Sequence, residues 1–247
     1  MTKSRLNKSN LVQTGFGICL LLLVLFLHAD SHEEAGEGTT EPIVETDPQQ
    51  EEVDDLAQAD LTLLERVSIE RGKTLSGTCV ACHGDDGNTQ IPEYSNIAGQ
   101  NEKYLLKQLK LIQSKEREIV LMVGQLDNFN DDDLQSLARY YSSLTPIIVQ
   151  ANPDNLALGE AIYRGGIKEK SIAACTACHA PQGTGNLLAG FPRVSGQTVP
   201  YLVNTLKEYR SQTRTSDEDV GSMMRDIAKN LSDEEIEAVA NYMTSLY

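Results

Sequence analysis

The chain has 247 residues, 36 acidic against 21 basic side chains, and a formal net charge of −15. Nucleic-acid binding draws on a basic surface, so this balance argues against it. Aromatic residues make up only 5% of the chain and Trp is absent, so a core would lack its usual large fillers unless something else occupies the centre.

Residues 1–29 read as a secretory signal. Lys3, Arg5 and Lys8 form a basic start, and Gly15 to Leu27 is an apolar run ending at Leu27-His28-Ala29. The run is shorter than the ~20 residues of a membrane span, and an uncleaved anchor is the alternative reading. Cys19 falls inside it as a small apolar residue. Residues 30–60 hold 12 acidic residues, no Lys or Arg and few large apolar side chains. That composition predicts a self-repelling, disordered tether, and it carries most of the net charge.

Two copies of one all-α unit follow, expected at 61–148 and 149–247. Leu64, Val67, Arg71 and Gly72 fit a helix that leads into Cys79-Val80-Ala81-Cys82-His83. Leu158, Ala161 and Ile162 do the same ahead of Cys175-Thr176-Ala177-Cys178-His179, with Gly159 in the place of Gly72. The second copy is longer here, by an insert containing Gly165-Gly166. Each five-residue stretch reads C-x-x-C-H, the attachment pattern of a c-type haem. Two thiols three residues apart on one helical turn reach the two vinyl groups of a porphyrin, and the next residue offers an imidazole to iron. C-x-x-C alone also suits zinc or a redox dithiol. Two copies in one repeated context favour two covalently bound haem c groups, and a buried haem would supply the missing core. Thioether attachment resembles a process on the far side of the bacterial inner membrane, which agrees with an export signal.

Beyond the motifs, Ile97-Ala98-Gly99-Gln100 matches Val194-Ser195-Gly196-Gln197, and Tyr104 matches Tyr201. Leu105, Leu109 and Ile112 predict one amphipathic helix, and Leu202, Leu206 and Tyr209 its counterpart. The last helix of each copy carries Leu134, Leu137, Ala138 and Tyr141, or Ile236, Val239, Ala240 and Met243. Asn130 before three aspartates, and Ser232 with Glu235, mark their N-termini. Pro146 and Pro153 bracket a linker. Gly72 with Tyr140, and Gly159 with Tyr242, are candidates for close crossing of first and last helices.

A sixth iron ligand is sought among soft side chains, because His28 and His32 lie in the signal and the tether. Met122 is the single Met of the first copy and stands eight residues before Asn130. Equal spacing before Ser232 selects Met224, leaving Met223 to point elsewhere and Met243 to the core.

From about Leu61 to the C-terminus the chain resembles the cytochrome c4 family, the tandem dihaem class I cytochromes. The resemblance rests on CVACHGDDGN, IAGQNEKYLLKQL and LARYYSSL in the first copy, and on YRGG, CTACHAPQGTGN, LAGFPRVSGQ and MMRDIAKNLSDEEIEAVANY in the second. It covers about three quarters of the chain. It implies two cytochrome c domains with Cys79, Cys82, His83 and Met122 on one haem and Cys175, Cys178, His179 and Met224 on the other. It also implies a periplasmic electron carrier, often associated with the membrane, between a respiratory donor complex and a terminal oxidase. A cytochrome subunit of a periplasmic dehydrogenase, a dihaem peroxidase and a zinc module are the rival readings. One departure stands out. The family places a proline whose carbonyl accepts the proximal His N–H, and the second copy has Pro192 there, but the first has Ser95. Without the fixed φ of proline, a weaker bond to His83 is expected. The acidic tether is a second departure.

Overall fold

The computed structural model describes residues 67–247. The signal at 1–29, the tether at 30–60 and Leu64 lie outside the described residues. Among the described residues the elements are helices and short 3-10 turns, and extended pairing is limited to two isolated bridges, Ile167–Ile172 and Asn186–Phe191.

The first domain runs α1 (Ile69–Leu75), α2 (Val80–His83), α3 (Glu102–Gln113) and α4 (Asp131–Ser143). The second repeats the order as α5 (Leu156–Gly165), α6 (Thr176–His179), α7 (Val199–Arg210) and α9 (Asp233–Thr244), with a short α8 (Met223–Ala228) inserted before the last helix. Both last helices begin in a full capping box, Asn130 with Asp133 and Ser232 with Glu235. Each box satisfies two backbone N–H groups, worth about 1 kcal/mol for the cap side chain. The N3 carboxylate also takes a cation from elsewhere in its domain: Arg71 reaches Asp133 at 2.6 Å and Lys170 reaches Glu235 at 2.7 Å.

The crossing of first and last helices falls where the glycines predict it. A Cβ on Gly72 would lie 2.1 Å from the Ser136 carbonyl oxygen, and one on Gly159 would lie 2.1 Å from that of Ala238. Only a residue without a side chain lets the two backbones approach this closely. Tyr140 and Tyr242 stand at the same crossings. The apolar stripes close two cores. Leu105, Leu137, Ala138, Tyr140 and Tyr141 form one, and a larger one gathers Ile162, Leu202, Leu206, Ile236, Val239 and their neighbours.

Three positions depart from the periodicity, the exposed Ala161 among them. Val67 is buried but precedes α1, because the Ser68 hydroxyl accepts from the Arg71 N–H and starts the helix after it. Leu158 is 36% exposed, and α5 buries Gly159, Ile162 and Tyr163 instead. The second-copy insert folds back on itself: Gly165-Gly166 ends α5 and the Ile167–Ile172 bridge closes the loop. The linker is tied to both domains. Ile147 N–H donates to Asn88 Oδ1 at 3.0 Å, and Asn152 N–H donates to Asn241 Oδ1 at 2.9 Å.

Candidate haem sites and the cleft between them

Each C-x-x-C-H stretch is one short turn of helix, with Cys79 or Cys175 as its N-cap in helical conformation. This places two sulfurs and an imidazole on one turn. Cys79 and Cys175 are half-buried, Cys82 and Cys178 exposed, and no disulfide joins them. Burial pushes the Cys79 thiol up, and pushes Cys175 up to about 11. Structural zinc needs four converging ligands, and among the described residues no three His, Cys, Asp or Glu side chains converge on a metal position.

The two motif histidines are matched. His83 Nδ1 lies 2.9 Å from the Ser95 carbonyl oxygen, and His179 Nδ1 lies 2.9 Å from that of Pro192. A carbonyl can only accept, so Nδ1 carries the proton in both rings and Nε2 keeps its lone pair. Burial lowers both imidazole pKa values, with the backbone bonds opposing, and so favours the neutral ligand form. The weaker bond expected at Ser95 is not present: the two lengths are equal.

Both motifs open onto a single cleft of about 700 Å³ that runs from one domain into the other. Leu105, Leu109 and Leu137 wall it on one side, and Leu202, Leu206 and Val239 on the other. Met122 ends a 3-10 turn, Val120–Met122, is half-buried, and lines the cleft. Met224 lines it too and packs against the second core. Met223 reaches the same wall but is 45% exposed. Met243 is buried in the core, as its place in the helical stripe requires.

At the seam of the domains lies a cationic cluster that sequence reasoning missed. Arg214 is 3% exposed. It donates to Tyr104 Oη at 2.9 Å, Ser216 Oγ at 3.0 Å, Thr205 Oγ1 at 3.2 Å and Gln108 Oε1 at 3.3 Å, and stands over the Tyr209 ring. Arg117 donates to Gln108 Oε1 at 2.7 Å and Tyr201 Oη at 3.3 Å. Among the described residues no carboxylate pairs with either guanidinium. Burial raises the Tyr201 phenol, but Arg117 and Arg214 outweigh it and pull it down to about 7. Gln108 Nε2 is buried with no acceptor. A buried cation, a half-buried one and an orphaned donor at this seam call for an anion, and Arg117 and Gln108 line the cleft. A haem brings two propionate carboxylates and an apolar ring, so the donor set and the cleft fit the group. The matching of Tyr104 with Tyr201 was the one visible signal.

The comparisons agree with this geometry. The family model for cytochrome c matches residues 69–145 and 157–247. Cytochrome c4 of Azotobacter vinelandii is 40% identical over 185 residues, 71% of this chain and 88% of that protein. The thiosulfate dehydrogenase electron acceptor of Thiomonas intermedia is 30% identical over 177 residues, 69% of this chain and 79% of that protein. The crystal structure of reduced recombinant cytochrome c4 from Pseudomonas stutzeri superposes with a TM-score of 0.72 at 39% identity, covering 73% of this chain and all of that one. Two tandem cytochrome c folds, each presenting a C-x-x-C-H turn to an apolar cleft, carry two covalently bound haem c groups, and the chain belongs to the cytochrome c4 family of dihaem electron-transfer cytochromes.

Proposed function

We propose that the chain is a periplasmic carrier that takes electrons from a respiratory donor complex and delivers them to a terminal oxidase. Its leader would be residues 1–29, its tether 30–60, and its domains 61–148 and 149–247. Cys79, Cys82, Cys175 and Cys178 hold the two haems, with His83 and Met122 on one iron and His179 and Met224 on the other. Among the described residues no helix is long and apolar enough to cross a membrane, so attachment to the inner membrane would be through the leader or peripheral.

The single observation that carries the reading is the continuous cleft shared by both motifs. The haem supplies one-electron exchange at iron when bound. The rest is done by the chain. Leucine and valine side chains exclude water from the ring faces and so limit reorganisation when the charge changes. The Nδ1–H bonds fix both imidazoles in one tautomer and raise their basicity. The thioethers of Met122 and Met224 would be soft ligands that favour the reduced iron. Arg117, on the cleft, would hold a propionate, and Arg214 would add its charge through Tyr104 and Gln108, neutralising charge that would otherwise be buried unpaired. With Met122 and Met224 as ligands, neither iron would keep the open position that a peroxidase needs, and the place of both on the cleft supports this.

A second reading is favoured by the likeness to the Thiomonas intermedia electron acceptor: the physiological donor is a thiosulfate-oxidising enzyme. The test is reduction of the purified ferric protein. Mixing with membranes and quinol, then with oxidase-containing membranes and oxygen, is expected to reduce and reoxidise both haems. Reduction only in the presence of a thiosulfate dehydrogenase and thiosulfate would select the second reading. Reduction by neither would defeat both.

A further inference from the structure

The stretch around each proximal-histidine carbonyl is held by the opposite domain. Gln197 Oε1 accepts from Asn96 N–H at 2.8 Å, and Gln197 Nε2 donates to the Asn96 carbonyl at 2.9 Å. Thr198 Oγ1 donates to the Tyr94 carbonyl at 3.1 Å. Ser95, whose carbonyl receives His83, is thus gripped on both sides by the second domain. The first domain returns the grip. Arg193 N–H donates to Gln100 Oε1 at 2.7 Å, and Gln100 Nε2 donates to the Arg193 carbonyl at 2.9 Å. Asn101 Nδ2 donates to the Phe191 carbonyl at 3.2 Å. Pro192, whose carbonyl receives His179, lies between them. Both glutamines are buried.

The two grips differ where the sequence differs. Proline fixes its own φ, but Ser95 does not. On the serine side the neighbouring Asn96 adds two further ties: its Nδ2 donates to the Gly196 carbonyl at 2.7 Å, and its Oδ1 accepts from Thr89 N–H at 2.8 Å. These ties, one of them across the domain seam, account for the equal 2.9 Å bonds at the two histidines despite the missing proline.

We propose that Gln197 and Gln100 are positioning residues for the haem of the opposite domain, each setting in trans the carbonyl that orients and polarises the other domain's proximal histidine. Gln197 acts on His83 through Asn96 and Ser95. Gln100 acts on His179 through Arg193 and Pro192. A looser carbonyl accepts less well from Nδ1–H, leaves the imidazole a weaker donor, and disfavours ferric iron. The affected haem therefore rises in potential. The effect is larger for Gln197, because Ser95 has no ring to hold it.

This rests on ligation by His83 and His179, and the test separates the two. His83 and His179 are the histidines of residues 67–247, so ¹⁵N-histidine labelling of the ferrous full chain reads their Nδ1–H protons individually. Both should be ring-current shifted in the wild type; unshifted protons would refute the ligation itself. Gln197→Ala should move the His83 proton, speed its exchange with solvent and raise the first haem's potential, with His179 unchanged. Gln100→Ala should act on His179 and the second haem alone, more weakly. Thr198→Val, whose hydroxyl serves only Tyr94, keeps the shape of the side chain and should reproduce the Gln197 pattern in smaller form, even where the glutamine variants fold poorly. Effects on the histidine of the same domain, equal effects on both, or none in Thr198→Val and the glutamine variants would overturn the proposal.

Discussion

Replacing Gly72 by Ala tests whether the helix crossing positions the first haem turn. A Cβ at Gly72 would sit 2.1 Å from the Ser136 carbonyl oxygen and 2.6 Å from Tyr140 Cβ, where ordinary contact begins near 3.4 Å. The neighbour is backbone on a buried helix, so no rotamer change relieves the overlap; α1 must lift by more than an ångström. Overpacking of this kind costs about 1–3 kcal/mol, and a rigid backbone neighbour places it at the upper end. Alanine returns up to ~1 kcal/mol of helix propensity. The expected net loss is about 2 kcal/mol. Gly165→Ala is the control: nothing lies within 4 Å of its Cβ, and stability should hold or rise by about 0.5–1 kcal/mol. Guanidinium unfolding of the ferric holoprotein, followed by helical circular dichroism and by the haem band, reads both. If Gly72→Ala unfolds at the wild-type denaturant concentration, the crossing is not the tight contact described.

Met224→Leu should halve the far-red charge-transfer band of thioether-ligated ferric haem, lower the second haem's potential and open that iron to carbon monoxide. Met223→Leu should keep the band, and the reverse outcome would move the ligand by one position. Ser95→Pro removes no backbone hydrogen bond among the described residues, where no acceptor takes the Ser95 N–H; it should change stability by less than ~1 kcal/mol and shift the first haem's potential alone, and a shift of both haems would refute the local argument. Arg214→Gln should destabilise the holoprotein by about 2–4 kcal/mol, because it withdraws a buried cation from the three hydroxyls and the Gln108 amide oxygen it serves and from any haem carboxylate at the seam, and thermal melts of holoprotein should show it. An unchanged melting temperature would mean that the cluster holds no propionate.

Much of this was legible in the sequence because it is local or repeated. The C-x-x-C-H turns, the helix start at Asn130, the capping box at Ser232, and the Gly72 and Gly159 crossings each follow from residues a few positions apart, or from the agreement of two copies. The α5 stripe was misread at Leu158 because a glycine, invisible to hydropathy, marks the buried face. The domain seam was not legible at all. Gln197 meets Asn96 across 101 positions, and a lone glutamine in a turn reads as surface. Arg117 and Arg214 are of a type that usually stays solvated, and only the fold buries Arg214 among the hydroxyls of the seam. The repeated Gly-Gln pair at 99–100 and 196–197 was noticed as alignment, and its reciprocal use needed the second domain's position. The same contacts explain why Ser95 did not weaken its bond: the missing constraint is supplied from outside the segment, where no local reading looks.

The central claim is that one chain carries two coordinatively saturated haems that exchange single electrons. An optical redox titration of the exported, purified protein tests it most directly. The account predicts two covalently attached haems per chain, reversible one-electron waves for both, a low-spin spectrum in each oxidation state, and no spectral response of the ferrous protein to carbon monoxide. One haem per chain, or a high-spin ferrous iron that binds carbon monoxide at neutral pH, would contradict it.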